Sequence, residues 1–142
     1  MFVSVTRLRL RSLLLLPAFL HRSRQCIKQA TVSPGFRNGA TLFDRGLVFW
    51  TLTVWDSERA MKAYRGAGAH AAVMPSLARW CSESAVTNFE QDIDTLPAWS
   101  EAWKRLSEKP RFFPLDHPSG RHLDRRIEPQ PAEGSWRSSR MH

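Results

Sequence analysis

The nine residues Leu47 to Trp55, LVFWTLTVW, have no polar face. In an extended chain Val48, Trp50, Leu52 and Val54 point to one side, and Leu47, Phe49, Thr51, Thr53 and Trp55 to the other. A strand that is apolar or β-branched on both sides belongs in the middle of a sheet, covered above and below. One layer of helices covers only one sheet face. This strand therefore predicts a second subunit over the open face, a homodimer.

The rest of the chain supplies the partners. Phe2 to Leu10 alternates as a strand, with a slip of parity at Thr6–Arg7 that marks a bulge or the strand end. Ser12 caps a helix from Leu13 to about Ala30, in which Leu13, Leu16, Leu20, Ile27 and Ala30 share the inner face and Arg22, Arg24 and Lys28 the outer. Ser33-Pro34-Gly35 ends it, and Phe36 to Asp44 forms a hairpin with the central strand through Arg45-Gly46. Asp56 or Ser57 caps a second helix bearing Ala60, Met61 and Tyr64, which Gly66-Ala67-Gly68 interrupts. Helix resumes from Ala69 to Trp80, with Pro75 at a bend or a restart. Val86 to Asp92 is a last strand, and Trp99, Trp103 and Leu106 make one apolar stripe on a short helix.

The order β–α–β–β–α–β plus a terminal helix is an α+β, ferredoxin-like arrangement with helices on one sheet face, over residues 1–106. Residues 107–142 hold five prolines and no sustained period, which predicts a Pro/Arg-rich, mostly disordered tail. Phe112-Phe113-Pro114-Leu115 is the patch in it that could dock back onto the domain.

Composition removes several classes of function. The longest apolar run, Leu13 to Leu20, is eight residues with a proline inside, too short to cross a bilayer. Cys26 and Cys81 are too few for a disulfide scaffold or a cysteine zinc site, and read as two packed thiols. The arginines near the start alternate with apolar residues and no small-x-small site follows, so the segment reads as mature structure and the protein as cytoplasmic. Phosphate-loop, dinucleotide, nucleophile-elbow and zinc-protease motifs are absent from the sequence. His117 and His122, with Asp116 and Asp124, offer at most a transient metal contact in the tail, and no metal site is expected.

Net charge is +8, and its placement matters more than its size. Residues 1–46 carry eight basic groups against Asp44 alone, a net of +7. Without interleaved aromatics or a base-reading motif this basic front reads as a solvated surface, and nucleic acid is not expected as a partner. It supports the alternative reading of the chain, a non-catalytic binding or interaction protein with a basic face for anionic partners.

The stretch Phe49-Trp50-Thr51-Leu52-Thr53-Val54-Trp55-Asp56-Ser57-Glu58, followed by a helix with Ala60, Met61, Tyr64, Gly68 and His70, resembles the dimeric α/β-barrel superfamily. Its closest branch is the antibiotic-biosynthesis-monooxygenase-like proteins, which also include heme-degrading monooxygenases. The resemblance covers about residues 2–92. It implies a pocket between sheet and helices for a small apolar or aromatic molecule, oxidised by a cofactor-independent oxidoreductase. The asparagine, tryptophan and histidine of the heme-degrading members fall on Thr6, Tyr64 and Met74, so none is kept. That disfavours heme degradation; no cofactor is expected, with heme the one left open.

Five residues are candidates for the site. His70 is the candidate general base, since imidazole titrates near neutrality; the competing role is a hydrogen bond to a backbone carbonyl at the glycine-rich break. Trp50, Tyr64, Met74 and Trp80 are the candidate substrate-binding residues, with core packing as the alternative for each aromatic. Trp50 and Trp55 lie on opposite sides of one strand and cannot line one pocket.

Overall fold

The computed structural model describes residues 1–128 and 137–142. Its strands are β1 (Phe2–Leu10), β2 (Phe36–Asp44), β3 (Val48–Trp55), β4 (Cys81–Glu90), β5 (Arg111–Phe112) and β6 (Arg137–Arg140). Its α-helices are α1 (Leu16–Val32), α2 (Glu58–Arg65), α3 (Gly68–Trp80), α4 (Trp99–Glu108) and α5 (Gly120–Leu123). The strands form one antiparallel sheet in the order β5-β4-β1-β3-β2-β6. The expected βαββαβ order holds, with α2 and α3 as one interrupted helix.

β3 lies between β1 and β2, as its composition requires. Val48, Trp50, Leu52 and Val54 are at most 4% exposed and share a core with Ala102 and Leu106 of α4, both fully buried. Trp99 and Trp103 pack at its margin. The cover expected from a second subunit is therefore supplied by the chain itself. The physical reason is the spacing of Trp99, Ala102, Trp103 and Leu106, which puts one apolar stripe on the side of the helix that meets this core.

Three boundaries differ from the sequence reading. β4 begins at Cys81, five residues before Val86, because its polar start is neutralised from β1. The Arg7 guanidinium, 3% exposed, donates to Glu83 at 2.6 Å and to Glu128 at 3.1 Å, and the Ser119 hydroxyl donates to Glu83 at 3.0 Å. Burial works against the Glu83 charge, but these bonds and the charges of Arg7 and Arg9 outweigh it and hold the carboxyl below its usual range. The parity slip at Thr6–Arg7 is thus a charged residue at a core position; the bulge falls at Arg9/Leu10. Second, residues Leu13–Leu15 form a 3-10 turn capped by Ser12 before α1 begins, which leaves Leu13 66% and Leu20 38% exposed instead of inward. Third, Pro75 sits inside α3 without ending it.

The segment after residue 106 is ordered over its described residues, against the expectation of a disordered tail. β5 pairs with β4 and β6 with β2. His122 is 7% exposed, accepts from the Ser84 N–H at Nδ1 (3.3 Å) and donates from Nε2 to the Phe113 carbonyl (2.8 Å). Trp103 Nε1 donates to the Glu128 carbonyl at 2.9 Å. Local composition is poor in aliphatics, so contacts with the finished sheet, not local propensity, fix this segment. Residues 129–136 of that expectation lie outside the described residues.

Two outcomes follow. Leu106→Ala should cost about 2–5 kcal/mol in urea unfolding, as for a fully buried leucine, whereas a loss under about 1 kcal/mol would mean that α4 does not close the face. Because the folded Glu83 carboxyl sits below its unfolded value, its contribution is present above the unfolded pKa and lost as pH falls through the folded one. Glu83→Gln should flatten that acid limb of the stability curve.

Candidate functional site

On the face bearing α1, α2 and α3 the core is in two separate parts. At one end Phe2, Ala30, Trp55 and Met61 pack with Phe36 and Tyr64. At the other, Leu10, Phe19 and Cys81 pack with Leu16, Phe49, Leu77 and Leu115. Between them lies a cavity of about 700 Å³, within the size range of small-molecule sites. Its floor is a row of short side chains in register across four strands: Val86, Thr6, Thr51 and Thr41. These cannot reach the helices above, and the gap is the consequence. Phe19, Ile27, Met61, Val73, Met74 and Leu77 make the walls apolar.

His70, Tyr64 and Met74 all line this cavity, so the structure brings three of the five candidates together. Trp50 borders it but packs in the α4-side core. Trp80 lies apart from it, against the Leu10–Phe19–Cys81 cluster. Their positions differ because strand parity and helix phase turn both rings toward the core.

The break between α2 and α3 sets the position of His70. Gln29 of α1 reaches across: its amide nitrogen donates to the carbonyls of Tyr64 (2.9 Å) and Ala67 (2.8 Å), and its oxygen accepts from the His70 N–H (2.9 Å). Gly68 has φ +56°, and a Cβ there would sit 3.0 Å from the Gln29 amide. The His70 ring packs on Tyr64 at 4.9 Å between centroids, and Tyr64 stacks on Trp55 at 5.0 Å. His70 Nδ1 lies 3.2 Å from the Arg65 carbonyl. A carbonyl only accepts, so Nδ1 carries the proton and Nε2 keeps its lone pair. Burial lowers the His70 pKa, against the Arg65 carbonyl bond that raises it, so the ring is neutral at pH 7. Burial also raises the Tyr64 phenol well above its ordinary value, and its hydroxyl donates to the Cys26 carbonyl at 3.2 Å.

The backbone-carbonyl bond anticipated for His70 is thus present, and it is also what leaves the second nitrogen basic. Sequence reasoning did not find Gln29, which carries no motif and sits on a polar helix. It also did not find Met141, which borders the cavity after donating its N–H to the Gly39 carbonyl at 2.9 Å. Phe113, Pro114 and Leu115, the patch expected to dock back, form part of the wall. Among the described residues no three His, Cys, Asp or Glu side chains come together to hold a metal ion. Cys26 and Cys81 are free thiols, and burial pushes Cys81 up to about 12.

No family model and no curated protein matches the chain. Solved structures do match in fold. A crystal structure of an antibiotic biosynthesis monooxygenase aligns with TM-score 0.59 at 10% identity, covering 66% of this chain and 100% of its own. A variant of SnoaB, a cofactor-independent oxygenase from Streptomyces nogalater, aligns with TM-score 0.55 at 17% identity, covering 68% and 97%. A conserved protein from Methanosarcina mazei aligns with TM-score 0.58 at 11% identity, covering 64% and 92%. The chain therefore shares the ferredoxin-like α+β fold of these structures. All or nearly all of each of these structures is matched by about two thirds of this chain, and the remaining third has no counterpart in them.

In an NMR titration His70 should show a midpoint below that of an exposed histidine, and a midpoint at or above about 6.5 would contradict the half-buried, neutral ring. The sign for stability follows: the unfolded histidine takes up a proton first, so His70 lowers stability as pH falls through the unfolded value toward the folded one. Gly68→Ala should cost about 1–2 kcal/mol, from the left-handed backbone and the crowded Gln29 amide.

Proposed function

We propose that this protein is a monooxygenase-like oxidoreductase that binds a small apolar or aromatic molecule in the cavity between sheet and helices and oxidises it with dioxygen. The observation that carries this reading is a neutral, half-buried imidazole with a free Nε2 on the wall of a mostly apolar cavity. Such a base suits a substrate whose proton is acidic only because the resulting anion is delocalised, as in a phenol or an anthrone-type methylene. His70 Nε2 takes the proton, and the Arg65 carbonyl stabilises the imidazolium through Nδ1–H. The substrate anion reduces dioxygen; one oxygen atom enters the substrate as a carbonyl and the other leaves as water. The apolar walls exclude water from the anion, and Tyr64, whose phenol stays protonated, supplies the ring against which His70 is held.

The match to SnoaB supports a route without a cofactor only at the level of fold. For heme, the donor set does not fit the pattern of the resemblance: Thr6, Tyr64 and Met74 all border the cavity but lack the amide, indole and imidazole. The proposed chemistry does not run through heme. The two free thiols are in keeping with a cytoplasmic protein. Pairing with a second copy is part of the superfamily resemblance and of this proposal, but not through the Trp50 face, which α4 closes.

Aerobic turnover of a panel of anthrones and quinols tests the reading. The expected result is oxygen uptake equal to product formed, with His70→Ala lowering kcat about 10²–10⁴-fold. An unchanged rate in His70→Ala removes the base from the mechanism, and no turnover across the panel leaves the alternative, a non-catalytic binding protein.

A further inference from the structure

We infer that the amino-terminal end of α1, with the 3-10 turn before it, is a docking surface for an anionic lipid bilayer. The sequence pattern alone turns Leu13 and Leu20 inward, but the structure exposes Leu14 by 90%, Leu13 by 66% and Leu20 by 38%. Pro17 and Ala18 are also exposed, so the first two turns present a continuous apolar surface to water. This is costly at the surface and is not needed by the core, which Phe19 and Ala30 serve from the same helix.

Charge decides what fits there. Arg22, Arg24 and Lys28 are exposed on the following turns, and Arg11 stands immediately before the turn. The sequence has no Asp or Glu before Asp44, and none of these four cations makes an ion pair among the described residues. The first turn of α1 carries no acidic residue to offset the positive end of the helix dipole. Exposed leucines flanked by cations without an ion pair match acyl chains below anionic headgroups, and the same cations repel a basic partner. No helix of the described residues is long and apolar enough to cross a membrane, so the contact is peripheral.

The surface also adjoins the cavity. Leu16, Leu20 and Arg24, on the same turns, line its wall. A bilayer-seated α1 would thus hold the cavity beside the phase in which an apolar ligand dissolves. This placement beside the ligand phase rests on the function proposed above; the docking itself does not, and is measured without substrate.

The test is co-sedimentation of the full chain with vesicles of phosphatidylcholine alone or mixed with phosphatidylglycerol, across a salt series. Binding is expected only with phosphatidylglycerol present, and should weaken as salt screens the arginines. The pair Leu13→Ser/Leu14→Ser, both exposed and so harmless to folding, should lower the partition constant by at least about tenfold. Arg22→Gln/Arg24→Gln should lower it further in low salt than in high. No binding to the anionic vesicles overturns the inference, as does binding that the leucine pair leaves unchanged. A native mass that halves in the leucine pair also overturns it, by assigning the patch to a second copy of the chain.

Discussion

The structure depends on the burial of β3 from both sides. One side meets α4, and the residues on it are almost wholly enclosed: Val48, Trp50, Leu52 and Val54. The other side meets three helices that touch the sheet at its two ends and bridge its middle. The same strand therefore makes a dense layer on one face and the floor of a cavity on the other. The alternation is visible in the strand itself, where Phe49 and Thr51 are only half-buried between fully buried neighbours. A row of threonines in register explains it: side chains of that length fill the space over a sheet only when a helix lies directly on them.

The chemistry of the cavity follows from a second constraint, the break between α2 and α3. At Gly66-Ala67-Gly68 the Gln29 amide of α1 bonds three backbone groups, so the break is fixed and His70, in the first turn of the new helix, sits at a set place. The Arg65 carbonyl, freed at the end of α2, then orients the imidazole. Burial lowers the pKa of the ring and so keeps it uncharged, with the lone pair of the second nitrogen free. A helix interruption that weakens local propensity is in this way what holds the candidate base.

Much of the fold was legible from residues 1–57, because alternation and caps are local signals. β2, the hairpin turn, the central position of β3 and the caps at Ser12 and Ser57 all follow from short-range pattern. The start of β4 was hidden because Glu83 reads as surface until Arg7, 76 residues away, is placed beside it. The role of α4 was hidden for a related reason: a stripe such as Trp99–Leu106 shows that a helix is sticky, not which sheet face it covers. Of the site, His70, Tyr64 and Met74 were legible as a helix face. The cavity was implied only by the family resemblance, because a hollow is set by where helices fail to touch, and no residue pattern records that. Trp50 and Trp80 show the same limit, since an aromatic ring reads alike whether it packs or binds.

The central claim is that the space over Thr6, Thr51 and Thr41 receives an apolar aromatic molecule. Two-dimensional NMR of the labelled full chain, titrated with 1-naphthol, tests it directly. Saturable shifts are expected at the backbone amides of Thr6, Thr51, His70, Val73, Met74 and Phe113, with the Trp50 indole and the amides of Ala102 and Leu106 unmoved. Shifts confined to α4, or none that saturate, would contradict the account.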